Sequence, residues 1–254
     1  MKKNLIVLFL TLAVILVSKI ALTIDIPYIE QESAKKHNKG LCGAACLSMV
    51  YASYGKNVDQ WDIFYNIAVP GGRKGDDGRP GSGCSHYLMV RDALNRGFYA
   101  ICIAMKNPQE FFDLYRSNEI DHSIRIILSH RPKKKTMSLH ATVLLDVTDT
   151  EVIIHDPDQG PSRHVAMADF IEMWQGMPPT KNRLVAISDK KYGKDKCSVC
   201  KRPVPDHLEC PDCHRKIGLE PKELIGCIYY DCPGRFWESV QCPYCGRVTK
   251  NRDK

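Results

Sequence analysis

The stretch "KGLCGAACLSMVYASYG", residues 39–55, sets two cysteines four positions apart in an apolar run that ends on glycine. Residues 44–54 read as a helix with Gly55 as its C-terminal stop. Cys42 then falls at the helix start. First-turn N–H groups there lack an intrahelical partner and form the positive end of the helix dipole, so a thiolate is stabilised and its pKa falls. Gly40 and Gly43 flank Cys42 and let a substrate backbone come close. Cys46 lies one turn inward beside Met49 and Val50, the usual setting of a buried structural thiol. Cys42 is therefore the candidate nucleophile and Cys46 a core residue. Position alone leaves a structural role open for both.

A cysteine nucleophile needs a base, usually His, and a group that orients it. His140 opens the apolar strand in "SLHATVLLDV", and Asp156 closes the next one in "EVIIHDPDQG". A turn at residues 148–150 makes these strands an antiparallel hairpin. The start of the first strand then lies near the end of the second, within reach of a side-chain contact. The competing reading is a strand-edge histidine and a turn-opening Asp-Pro.

Around these residues the chain reads as helices first and strands second, an α+β domain. A short helix is expected over 61–67 and another from a Ser85 cap to Gly97. "YAICIAM" (99–105) is strand-like. Asn107, Pro108 and Glu110 give a cap, a first-turn proline and a capping-box acid. "SIRIILS" and "NRLVAIS" add strands, and "MADFIEMWQG" (167–176) is a helix with Phe170, Ile171 and Trp174 inward. Residues 70–83 are glycine-rich without phosphate-loop spacing and read as a surface loop. Arg131, Lys133, Lys134 and Lys135 precede His140 as a solvated loop, with a basic substrate-facing rim as the rival reading.

The segments "IPYIEQ", "LCGAACLSMVYASYG", "HATVLLDV" and "VIIHDPDQG" together resemble the papain-like double-glycine leader peptidases and their stand-alone relatives, family thirty-nine of the cysteine peptidases, over about residues 26–188. The resemblance implies a papain-like α+β domain and a peptide or protein substrate. It also implies four roles: Gln31 supports the oxyanion, Cys42 attacks, His140 is the base and Asp156 completes the triad. An amidase or acyltransferase on the same triad, or an idle papain-like binding module, are the alternatives.

Eight of the twelve cysteines fall after "SDKKYGKDK", residues 188–196, which reads as a linker. Cys197, Cys200, Cys210 and Cys213 are two CxxC pairs nine residues apart. Cys227, Cys232, Cys242 and Cys245 are two further pairs with the same gap. Each quartet is expected to hold one structural Zn2+, forming a tandem zinc ribbon over 197–254 that meets a protein partner or positions substrate. The rival is a disulfide framework, which an exported chain would favour. Phe236 and Trp237 are expected in the ribbon core. No organic cofactor is implied, and Cys84 and Cys102 carry no assignment.

Hydrophobic residues make up 44% of the 254, enough for one or two cored domains, and the formal net charge is +7. From Asp189 onward there are 14 Lys+Arg against 10 Asp+Glu, an excess that two four-thiolate zinc sites would cancel. Lys2, Lys3 and Lys19 sit in an N-terminal targeting segment, so no nucleic-acid partner is expected. That segment, residues 1–23, has an apolar run from Leu5 to Val17, shorter than the roughly 20-residue span of a bilayer. It reads as a signal peptide, with an uncleaved anchor as the rival, so membrane contact is expected through it alone and the peptidase domain, 24–188, is exported: secreted, periplasmic or anchored.

Overall fold

The computed structural model describes residues 25–32, 40–69, 84–131, 139–175 and 181–250. The expected signal segment, the glycine-rich stretch and Lys133 to Lys135 lie outside the described residues. Among those described, no helix is long and apolar enough to cross a membrane.

Three helices come first: α1 (Cys42–Ser53), α2 (Gln60–Ile67) and α3 (His86–Asn95). Then follow β1 (Tyr99–Met105), α4 (Pro108–Arg116), β2 (Arg125–His130), β3 (His140–Val147), β4 (Glu151–Asp156), β5 (Gly160–Ala166), α5 (Met167–Trp174) and β6 (Arg183–Ser188). The remainder holds the hairpin β7 (His207–Glu209) and β8 (Lys216–Gly218), a 3₁₀ turn at Lys222–Leu224, and the hairpin β9 (Trp237–Gln241) and β10 (Val248–Thr249). Two helix starts follow the local chemistry, whereas Ser85, expected to cap α3, makes no side-chain cap bond. The Asn107 side chain accepts from the Gln109 N–H at 3.0 Å, with Pro108 as the first helical residue. Asp59 accepts from Trp61 in the same way at 2.8 Å.

The sheet has eight strands in the order β10-β9-β1-β6-β2-β3-β4-β5, all antiparallel neighbours. Its two faces are both covered, which is why its central strands read as continuous apolar runs rather than as alternation. Ala100, Cys102, Ile127, Val143, Val185 and Ile187 face α1, α2 and α3. Ile101, Ile103, Ile126, Leu128, Leu144 and Leu184 face Phe111 and Phe112 of α4 and Phe170 and Trp174 of α5. Helix α1 is buried from Cys42 to Tyr51, as a helix apolar on every side must be. Asp92 of α3 ties the helical layer together, accepting from Tyr51 of α1 at 2.8 Å, Asn66 of α2 at 3.0 Å and Arg96 at 2.7 Å.

The C-terminal cysteine-rich region fits a zinc ribbon, and it packs into the main body. Strand β9 pairs with β1, Cys102 opposite Gln241 and Ile103 opposite Val240. Trp237, Val240 and Leu224 join the same apolar cluster as Phe111 and Trp174. Residues 189–196 are packed as well: Tyr192 is buried, and Lys222 binds Asp195 at 2.5 Å and Asp206 at 2.6 Å. A polar composition without periodicity did not forecast this, because the partners of these residues come from a later part of the chain.

Trp237 is fully buried where β9 meets β1, and its indole N–H donates to the Cys227 carbonyl at 2.9 Å. Trp237→Ala should cost about 3–5 kcal/mol. In urea unfolding of the full chain, the midpoint of one transition should fall for the whole protein. Early loss of the tail alone, with the rest unchanged, would contradict the shared core.

Candidate active site

Cys42 sits at the N-terminal end of α1, 9% exposed. Leu41 at the N-cap has no side-chain acceptor, so it leaves the first-turn N–H groups uncapped. The Cys42 sulfur hydrogen-bonds the Cys84 thiol, the His140 ring and the Ala141 backbone N–H. The Cys84 bond does most to hold the Cys42 pKa well below the ordinary thiol value; burial opposes it, and the bond to His140 and its charge add to the lowering. Cys46, by contrast, is fully buried, and burial first, then the nearby Cys42 charge, pushes its pKa well up. The two cysteines of one helix thus have opposite character, and at Cys42 the causes are its hydrogen-bonding neighbours on other elements.

His140 and Asp156 meet at 2.7 Å, Nε2 to Oδ1. The β3–β4 register sets Val143 against His155, so the two residues are diagonal neighbours rather than direct partners. Diagonal pairs lie about 7–8 Å apart at Cα, within reach of an imidazole and a carboxylate. With Nε2 engaged by Asp156, Nδ1 is the ring nitrogen left for Cys42. Burial lowers the His140 pKa, but bonds to Asp156 and Cys42 and their charges more than reverse this and bring it to about 10. Asp156 has no exposed surface. Burial raises its pKa, while His140, the Asp158 N–H and Arg163 bring it down to about 2. All three shifts run toward the charged form: the thiol is lowered, the imidazole raised and the carboxyl lowered.

Five further residues join the site without standing out in the sequence. Arg163 Nη1 holds the second Asp156 oxygen, Oδ2, at 2.8 Å. The N–H groups of Asp158 and Gln159 donate to Oδ1 at 3.0 and 3.1 Å. His130 lies opposite His140 and packs edge-on against its ring at 5.7 Å. Cys84 sits over Gly43, its sulfur 2.2 Å from where a Cβ at that position would be. Arg163 was hidden because β5, "GPSRHVA", lacks a strand pattern; an arginine seven residues past a buried aspartate was the available hint.

Gln31 is brought to the same end of the sheet by a different route. Its N–H donates to the Pro157 carbonyl at 2.9 Å, and the Tyr28 hydroxyl donates to the Asp156 carbonyl at 3.3 Å. The His155 ring bonds the Ile26 carbonyl at 2.8 Å, and the Gln60 amide holds both Glu30 and Glu32. The Gln31 side-chain amide donates to Asp158 at 2.6 Å. It therefore stands beside the Asp156 loop with one amide hydrogen engaged.

The eight tail cysteines form two groups of four, each with its sulfurs within 4.8 Å of one another. The grouping corrects the expected one. Cys197 and Cys200 join Cys227 and Cys232, while Cys210 and Cys213 join Cys242 and Cys245. Strand β7 lies in the gap before Cys210 and β9 in the gap before Cys242. A strand advances about 3.3 Å per residue, which carries consecutive pairs too far apart to share one ion. The pairs at the tips of the two hairpins meet instead, and so do the pairs at their bases. Sulfur–sulfur distances are 3.7 Å for Cys197–Cys232 and Cys200–Cys227, and 3.6 Å for Cys210–Cys245 and Cys213–Cys242. A tetrahedron with metal–sulfur bonds of about 2.3 Å has edges near 3.8 Å, so each group could hold a metal ion. A disulfide would need about 2.05 Å. His207 and His214 are not in either group.

The profile of the Peptidase_C39 like family matches residues 23–181. With a papain-like architecture and that match over more than half its length, the chain belongs to this family and is a cysteine peptidase. Among solved structures it is similar to the peptidase domain of Streptococcus ComA, a bifunctional ABC transporter involved in a quorum-sensing pathway. The identity is 19% over 65% of this chain and 100% of that one, with a TM-score of 0.48. A double-glycine-motif protease from an AMS/PCAT transporter, solved with its leader peptide, is 21% identical over 66% of this chain and 94% of that one, with a TM-score of 0.45. No curated protein matches the sequence.

An ion pair between Cys42 and His140 would have a direct chemical readout. An ordinary thiol has a pKa of about 8.5 and loses alkylation rate tenfold per pH unit below it. Cys42 should react with iodoacetamide at a rate that stays flat well below that value, and His140→Ala should move the fall upward. A rate that follows the ordinary thiol curve in the native protein would show that no ion pair forms.

Proposed function

We propose that this peptidase cleaves a peptide bond in a peptide or protein substrate through Cys42, His140 and Asp156, with Gln31 as oxyanion donor. The observation that carries the reading is the 2.7 Å His140–Asp156 bond beside a Cys42 thiol that itself bonds His140. The thiolate attacks the carbonyl carbon. The Cys42 N–H, at the positive end of α1, and the Gln31 amide donate to the oxyanion; such a donor is worth about 3–4 kcal/mol. An amide group has two N–H donors, so the bond to Asp158 orients Gln31 and leaves one hydrogen for the oxyanion. His140 protonates the leaving amine and then takes a proton from the water that splits the thioester. Asp156, held by Arg163 and two backbone N–H groups, keeps the imidazolium oriented.

The same reading assigns structural zinc to both four-cysteine groups. Each is closed, with no open position for chemistry. The Gly246 Cα of the second group faces the Tyr87 ring of α3, which would lie 3.1 Å from a Cβ there. The metals therefore hold β9 against β1 and brace the helix that follows Cys84, and the ribbon positions the catalytic half as well as offering a surface to substrate or partner. Residues 1–23 act as a signal peptide or anchor, which places the peptidase outside the cytoplasm, with 24–188 as the catalytic domain and 197–254 as the ribbon.

Cys42→Ala should abolish cleavage of a peptide library, and Gln31→Ala should lower kcat by about 10²–10³ with a smaller change in KM. Undiminished cleavage by Cys42→Ala would overturn the assignment; acyl transfer to amines in place of hydrolysis would reassign the reaction. Metal analysis should find two zinc ions per chain, and their removal by chelator should lower both Tm and cleavage rate. Fewer than about one zinc with quantitative disulfides would reverse the metal assignment.

A further inference from the structure

Cys84 is a thiol beside Cys42 that the proposed reaction does not use. It is partly exposed, whereas Cys46 is fully buried in the core. Its backbone is pinned: Cys84 bridges Ala68, and the Ser85 N–H donates to the Ile67 carbonyl at 3.2 Å. Leu88 and Met89 both donate to the Ser85 carbonyl at 3.0 Å. This fixed backbone points the sulfur at Gly43. Any side chain there would collide with it, since a Cβ would lie 2.2 Å from Cys84 Sγ and 3.3 Å from Cys84 Cβ. The absent side chain at Gly43 leaves Cys84 Sγ directly against the residue that follows Cys42.

We propose that Cys84 is a resolving cysteine for Cys42, so that oxidation by hydrogen peroxide ends in a reversible Cys42–Cys84 disulfide that stores the peptidase in an inactive form. This rests on Cys42 being the reactive thiolate of the proposed reaction. In the first step the Cys42 sulfur attacks one peroxide oxygen and the O–O bond breaks, giving a sulfenic acid, while the leaving hydroxide takes the proton held on His140 and becomes water. In the second, Cys84 loses its proton and its sulfur attacks Cys42; the S–O bond breaks and the departing hydroxide takes up that proton. Two thiols and one peroxide become one disulfide and two waters. A dithiol reductant returns both thiols by exchange.

The order of events follows from the surroundings of Cys84. Its pKa stands well above the ordinary thiol value, chiefly because it donates to the Cys42 thiolate, then because of burial and of the Cys42 charge. Conversion of Cys42 to a neutral sulfenic acid removes the first and third of these. Cys84 thus stays protonated beside an active Cys42 and gives up its proton once Cys42 is oxidised. No further oxidant is needed, and the sulfenic acid is captured before it proceeds to the irreversible sulfinic form.

The test treats the full-length, metal-loaded chain with hydrogen peroxide, blocks remaining thiols with iodoacetamide and reads digested peptides by mass spectrometry without reduction. A linked Cys42–Cys84 peptide is expected, short of two hydrogens, with loss of cleavage and of Cys42 alkylation that dithiothreitol restores. Cys102→Ser should behave as the native chain. Cys84→Ser and Cys84→Ala, checked for native circular dichroism, should form no such link, accumulate sulfinic Cys42 and fail to recover. Sulfinic Cys42 beside free Cys84 in the native chain, or full recovery in both Cys84 variants, would overturn the proposal. The linked peptide is read without any substrate. If it forms in a chain that cleaves nothing, the disulfide stands and the peptidase mechanism falls.

Discussion

Burying a helix on every side obliges a small protein to build walls around it. Helix α1 is enclosed from Cys42 to Tyr51 by α2, α3 and one face of the sheet. Its first residue, Cys42, lies near the edge of this enclosure, 9% exposed. A surface cysteine would titrate like a free thiol, and a deeply buried one would stay protonated, as burial dictates for Cys46. At the boundary, hydrogen bonds from Cys84, His140 and Ala141 outweigh the burial cost. The depth of the helix end decides the chemistry.

The same balance recurs at the other two charged groups. Asp156 is removed from water, which by itself would neutralise it. Two backbone N–H groups, Arg163 and His140 supply the donors that keep it ionised. His140 is pushed toward its charged form by its bonds to Asp156 and Cys42. No member of the trio would hold its charge alone, so the pKa values belong to the constellation more than to the residues. The loop after Asp156 serves two purposes, because the Pro157 carbonyl and the Asp158 carboxylate also fix Gln31.

Much of this was legible in the sequence wherever local chemistry and apolar pattern agreed. Residues 151–156 form the strand expected, Asn107 caps its helix and Gly55 ends α1 with φ at +76°. The juxtaposition of His140 and Asp156 followed from one hairpin. Contacts made between distant segments left no trace. Arg163 lies on a strand whose residues are mostly solvent-facing, so it shows no apolar periodicity. Cys84 reaches Cys42 across a separation that no spacing rule describes. The cysteine quartets joined the right pairs in the wrong combination, because sequence proximity favours neighbours while the intervening strands forbid them.

Strand β9 covers an edge of β1 that would otherwise stand open, and this bears on how the molecule is made. During synthesis from the N-terminus, Gln31, Cys42, His140 and Asp156 all emerge before Trp237–Gln241. Until then β1 presents unpaired backbone groups, the kind of template on which chains aggregate. The closing contact is also among the longest in sequence, Cys102 to Gln241, and long-range pairings form slowly. Maturation of this peptidase is thus set by its last strands, so how much working enzyme accumulates depends on how soon the C-terminal segment reaches β1.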